Sequence, residues 1–274
     1  YVSSVDIPAI DDVDGDGDLD VLTFAISGGT LEYHMNMTME NNSNCDNLEF
    51  VLANKCWGYF TALSSGTNTV TLNEVCTDNV PDPKSANLHA GSTVTSFDVD
   101  GNGVKDLMLG DVTFSNVVML TNDNIGVNAN SSMVSQDVNY PSYDVPVDMY
   151  LFPATFYIDV NNDSKRDLIV TPNVKNGVEN INSSQFYRNT GTDAVPIFSF
   201  EQTNFLQDEQ VDLGTSAYPV FFDYNNDGLQ DLVVGNFGTF TSSTSVYDTR
   251  LALYENTGTS TSPAYTLIDN DYLS

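Results

Sequence analysis

Nine residues, Asp12 to Asp20, read D-V-D-G-D-G-D-L-D, and three later stretches repeat their frame. Asp98 to Asp106 reads D-V-D-G-N-G-V-K-D, Asp159 to Asp167 reads D-V-N-N-D-S-K-R-D, and Asp223 to Asp231 reads D-Y-N-N-D-G-L-Q-D. Oxygen-bearing side chains stand at positions 1, 3, 5 and 9 of every copy, and a small residue (Gly17, Gly103, Ser164, Gly228) stands at position 6. Alternate residues of a tightly curled loop point inward, so the spacing gathers oxygens about one point while the small residue permits the bend. Position 7 (Asp18, Val104, Lys165, Leu229) varies freely, as it can if it offers only a main-chain carbonyl. Such a shell suits Ca²⁺, which takes about six to eight oxygen ligands; Mg²⁺ prefers fewer protein ligands, and zinc prefers His or Cys.

Asp, Asn and Gly also dominate ordinary turns. Four copies in one frame, each flanked by apolar residues, favour metal binding over turn chemistry alone. An EF-hand would need Glu at position 12 between two helices. Here position 12 is Thr23, Leu109, Val170 and Val234, and flanks such as Tyr218 to Phe222 and Leu232 to Gly235 read as strands. Each loop is expected at the tip of a β-hairpin.

The loops begin at Asp12, Asp98, Asp159 and Asp223, spacings of 86, 61 and 64 residues. A period near 60 is too long for helical solenoids and suits a four-stranded propeller blade. A second motif supports the unit: Phe186 to Phe200 (F-Y-R-N-T-G-T-D-A-V-P-I-F-S-F) matches Leu253 to Leu267 (L-Y-E-N-T-G-T-S-T-S-P-A-Y-T-L), with Tyr187, Asn189, Gly191 and Pro196 each 67 residues before its counterpart. Fainter versions end at Asn36 and Asn122. One unit is therefore strand A, acidic loop, strand B, strand C, Asn-Thr-Gly turn, strand D. Residues 53–88 form an insertion holding Cys56, Trp57, Tyr59, Phe60 and Cys76, and a long connection from Ser131 to Pro153 carries Tyr140, Tyr143 and Tyr150. In an up-and-down blade these D-to-A connections are expected on the face opposite the acidic loops.

The formal charge of −30 argues against nucleic acid or an anionic membrane surface as partner. The 11% aromatic content argues against disorder as the meaning of that charge. No apolar run long enough to span a membrane occurs, and the chain, which opens inside a repeat, is expected to be part of a longer protein. Cys45, Cys56 and Cys76 fall within 32 residues, which points to one local disulfide of undetermined pairing in an oxidising compartment.

Taken together, these residues resemble the FG-GAP/VCBS repeats, whose calcium-loop blades build integrin-like propellers. The resemblance implies an all-β propeller of four-stranded blades over residues 1–274, with about four blades of a commonly seven-bladed ring. It implies about four Ca²⁺ ions, held by Asp12, Asp14, Asp16, Asp18 and Asp20; by Asp98, Asp100, Asn102, Val104 and Asp106; by Asp159, Asn161, Asp163, Lys165 and Asp167; and by Asp223, Asn225, Asp227, Leu229 and Asp231, position 7 acting through its carbonyl. Asn102, Asn161 and Asn225 replace carboxylates, which should weaken the later sites relative to the first. The N-T-G-T-x-x-x-P style is similar to that of bacterial surface proteins exported by the type IX route.

No nucleophile elbow, zinc-binding helix, phosphate loop or dinucleotide fingerprint is present. His34 falls at the strand C place held by Tyr187 and Tyr254 and reads as structural; His89 precedes the second strand A. The expected function is that of a non-enzymatic, extracellular or cell-surface adhesion or assembly module, presenting Trp57, Tyr59, Tyr140 and Tyr143 to a glycan or surface protein, with further blades or partner chains closing the ring. The alternatives are a carbohydrate-active enzyme using His89 and a loop tyrosine, and a structural part of a filament or secretion assembly.

Overall fold

The computed structural model describes residues 2–26, 29–42, 48–62, 66–74, 91–123, 126, 131–174 and 177–273. They form an all-β structure of two units, residues 1–174 with 184–203, and residues 175–183 with 204–274. Among the described residues no helix is long and apolar enough to cross a membrane.

The first unit holds three four-stranded sheets. The first joins β1 (Ala9–Asp11), β2 (Asp20–Phe24), β3 (Leu31–Asn36) and β4 (Phe50–Asn54), with a five-residue helix α1 (Thr38–Asn42) between the last two. A small hairpin of β5 (Phe60–Thr61) and β6 (Thr71–Leu72) follows. The second sheet joins β7 (Ser92–Phe97), β8 (Asp106–Asp111), β9 (Val117–Asn122) and β10 (Met133–Asp137), and the third joins β11 (Pro153–Ile158), β12 (Asp167–Pro172), β13 (Gln185–Asn189) and β14 (Phe198–Gln202). The second unit holds one sheet of β15 (Tyr218–Phe222), β16 (Asp231–Gly235), β19 (Leu251–Asn256) and β20 (Tyr265–Asp269), with the hairpin of β17 (Thr239–Thr241) and β18 (Val246–Asp248) inserted after β16. Every four-stranded sheet is an antiparallel meander in which each strand pairs with the next strand of the same sheet in chain order.

The residues show why. In the central strand β8 every residue is buried, because both faces are covered. Leu107 and Leu109 point into a cluster shared with the first sheet, containing Leu22, Phe24, Leu31, Trp57 and Phe60; Met108 points into one shared with the third, containing Leu168, Tyr187 and Phe198. Period-two geometry thus turns a continuous apolar run into two cores. Edge strands β7 and β11 meet closely: the Thr93 hydroxyl donates to the Pro153 carbonyl at 2.7 Å and the Thr95 hydroxyl to that of Thr155 at 2.8 Å. A Cβ at Gly110 would stand 2.0 Å from the Pro153 oxygen, so only glycine fits there.

Two surface expectations are corrected. Trp57 is 1% exposed: its main-chain N–H donates to the Leu31 carbonyl, and its ring fills the first core, sealing the end of the first sheet remote from the acidic loop. Tyr140 is 5% exposed, because the connection after β10 folds back between the second and third sheets and places its ring against Phe198. Phe198 pairs with Asn189 at the acidic-loop end of the third sheet. This connection therefore does not display its aromatics on the far face. Large rings with two apolar cores within reach are buried by the hydrophobic effect. Cys56 is buried and disulfide-bonded; Cys45, Cys76 and His89 lie outside the described residues.

Candidate metal centres

All four acidic stretches sit at the tip between strands A and B, each ending on the first residue of strand B. The curl is built from side chain to main chain bonds that recur in register. The position 1 carboxylate accepts the N–H of position 4 from Gly15, Gly101 and Asn162, each at 2.7 Å. The position 5 side-chain oxygen accepts the N–H of position 7 in all four, at 3.0, 2.9, 2.9 and 2.7 Å. Position 6 is left-handed, as the small residue predicts, with Ser164 at φ +69° the one non-glycine. Position 4 is left-handed too, at Gly15, Gly101, Asn162 and Asn226, which Gly and Asn tolerate best.

Position 9 is the anchor. Asp20, Asp106, Asp167 and Asp231 are each 0% exposed. One oxygen accepts the position 2 N–H of its own loop, from Val13, Val99, Val160 and Tyr224. The other accepts the N–H of an asparagine ending strand C: Asn36 at 2.8 Å, Asn122 at 2.7 Å, Asn189 at 2.9 Å and Asn256 at 2.8 Å. Each asparagine returns its amide to the carbonyl of position 8. The faint motifs at Asn36 and Asn122 are thus full equivalents of Asn189 and Asn256. Their signal in the sequence was the shared asparagine, whose partner could not be read from it.

In the first two loops positions 1, 3 and 9 converge, Asp12 with Asp14 and Asp20, and Asp98 with Asp100 and Asp106, each set with ligand oxygens within 4.8 Å of one another. In the third and fourth loops Asn161 and Asn225 hold position 3. The first loop has additions. Asp16 and Asp18 converge with Glu40 of α1, a residue that no loop motif announces. The hydroxyl of Tyr33 in β3 reaches Asp14 at 3.1 Å and Asp20 at 2.9 Å.

Burial pushes the Asp106 carboxyl up to about 7, against the pull of its two main-chain N–H partners. Burial, with the charges of Asp16 and Glu40, pushes Asp18 up to about 6. Asp20 and Asp167 are raised by burial as well. Both Asp18 oxygens are shut from solvent with no hydrogen-bond partner. An orphaned carboxylate among other carboxylates, in an all-oxygen donor set, fits a hard divalent cation; the side chains of positions 1, 3, 5 and 9, with the position 7 carbonyls of Val104, Lys165 and Leu229, could hold one in each loop. Bound there, the cation would supply the positive charge that the gathered carboxylates lack.

Residues 159–234 match the family model of the FG-GAP-like repeat. Over that stretch the chain is similar to an FG-GAP-like repeat. The matched stretch starts on the first ligand position of the third loop and ends in β16. No curated protein matches the chain in sequence. A solved structure of an Agrocybe aegerita lectin that recognises non-reducing terminal N-acetylglucosamine is similar at 12% identity and a TM-score of 0.32, over 97% of this chain and 66% of the lectin's. A likeness of that size defines neither fold nor ligand here.

Of the four aromatic candidates, Trp57 and Tyr140 are buried. Tyr59 is half-buried in a left-handed conformation, and Tyr143 is exposed while its hydroxyl accepts the Phe198 N–H at 2.9 Å. His34 pairs with Glu32 at 3.0 Å on its own strand, a local contact.

Proposed function

We propose that the chain is an extracellular, calcium-stabilised binding module in which the four-stranded meanders act as propeller blades and further blades or partner chains complete the ring. The observation that carries this reading is the repeated tip: four loops of one geometry, each tied through its buried position 9 aspartate to strand C of its own sheet. The FG-GAP-like repeat and the face-to-face packing of successive sheets within the first unit support it. Loops this open suit weak calcium affinity, which the high calcium outside cells can satisfy and cytosolic calcium cannot. The scaffold presents Tyr59 and Tyr143 to a glycan or protein partner in adhesion or surface assembly.

Equilibrium dialysis of the whole chain against millimolar calcium should retain about four ions, one per loop. Retention of none would overturn the reading. Alanine at Tyr59 should weaken capture on glycan or surface-protein arrays without changing calcium-dependent melting; unchanged capture would remove Tyr59 from the contact surface.

A further inference from the structure

We propose that Tyr33 is a positioning residue that preorganises the first acidic loop, so that this loop takes up calcium before the other three. The inference rests on the calcium reading above and deepens it for one site. Tyr33 pairs with Leu22, the second residue after the position 9 aspartate. The residues with the same pairing in the other sheets are Met119, opposite Met108, Phe186, opposite Ile169, and Leu253, opposite Val233. None of those three has a hydroxyl. Besides the asparagine N–H that all four loops share, the first loop therefore has a side-chain hydroxyl from strand C on its ligand carboxylates, a donor that none of those three residues can supply.

The chemistry explains why it matters there. The first loop alone has aspartate at positions 1, 3, 5, 7 and 9, so its metal-free form carries the greatest like-charge repulsion. Tyr33 is 0% exposed and held by the apolar core, which fixes its ring. Its hydroxyl oxygen stands 3.1 Å from Asp14 Oδ2 and 2.9 Å from Asp20 Oδ2, so its one hydrogen can be donated to either. A neutral donor between two anionic oxygens draws positions 3 and 9 together before any cation arrives. Groups that orient metal ligands in this way are worth about 10- to 100-fold in affinity.

Calcium titration calorimetry on the whole chain, its Asp12→Asn variant and its Tyr33→Phe variant tests this. Asp12→Asn identifies the first-loop binding class by weakening it. Tyr33→Phe should weaken that same class about 10- to 100-fold and leave the others unmoved. An unchanged first-loop class, or an equal fall in every class, would overturn the inference, since a tyrosine that merely fills the core gives one or the other. A parent chain that binds no calcium fails the calcium reading itself, which is a different result from calcium bound and Tyr33 silent. If Tyr33→Phe does not fold, anomalous scattering from parent crystals at limiting calcium decides: the first loop should fill first, and earlier filling of another loop would overturn the inference.

Discussion

Asp106 and Asp163 belong to the same motif and should fail differently. Asp106 is fully buried and spends its oxygens on the N–H groups of Val99 and Asn122; Asp163 lies at an exposed tip. Asp106→Ala orphans two buried donors and should cost about 3 kcal/mol even in chelator, at about 1–3 per unsatisfied group. Asp163→Ala should cost about 0.5 kcal/mol or less in chelator and lose instead the gain that calcium gives; denaturant titration with and without calcium separates the two. Ser164 holds a left-handed conformation that its three counterparts meet with glycine, so Ser164→Gly should stabilise by about 1 kcal/mol in the same titration. The raised carboxyls set a pH dependence. Asp18 at about 6 and Asp106 at about 7 lie above the unfolded value near 3.9, so the metal-free folded chain binds more protons than the unfolded one between those limits. Its stability is therefore greatest at the acid side of that window and declines as pH rises through about 6 to 7. A cation competes with the same protons, so calcium affinity should rise over that window with proton release, measurable by titration in buffers of different ionisation enthalpy.

The meanders show which elements can be read from residues and which cannot. Strands A and B were legible because the acidic frame marks the hairpin tip and apolar runs flank it, as in Tyr218 to Phe222. Strand C was legible at Asn189 and Asn256 through the turn that follows and faint at Asn36 and Asn122, where the only constant is an asparagine whose partner lies elsewhere in the chain. The left-handed residue at position 4 is likewise set by bonds to position 1 that composition does not display. Glu40 and Tyr33 reach the first loop from outside its motif, so no spacing rule could find them. The aromatic connections misled for a different reason: the order of residues cannot say whether a tyrosine between prolines hangs outward or turns back between two sheets. Tyr140 turns back, and its cluster with Phe97, Tyr157 and Phe198 fills the second core. Trp57 seals the first. Trp57→Ala should accordingly cost about 3–5 kcal/mol in denaturant titration, with or without calcium.

For the whole chain, charge and metal act together. A formal charge of −30 opposes compaction, and the opposition is screened over about 10 Å at 0.1 M salt. In chelator the melting temperature should climb with sodium chloride; in calcium the climb should be smaller, because the densest carboxylate groups already carry counter-charge. Each loop filled at a hundred times its dissociation constant contributes about 2.7 kcal/mol. The position 9 aspartate keeps its two main-chain bonds whichever way that balance moves, because they tie loop base to strand C without help from an ion. Chelation should then loosen each sheet from its loop tip first. A protease added at that stage would clip between the first and eighth positions of the loops and release no sheet, so that the fragments stay associated until the asparagine ends of strand C give way.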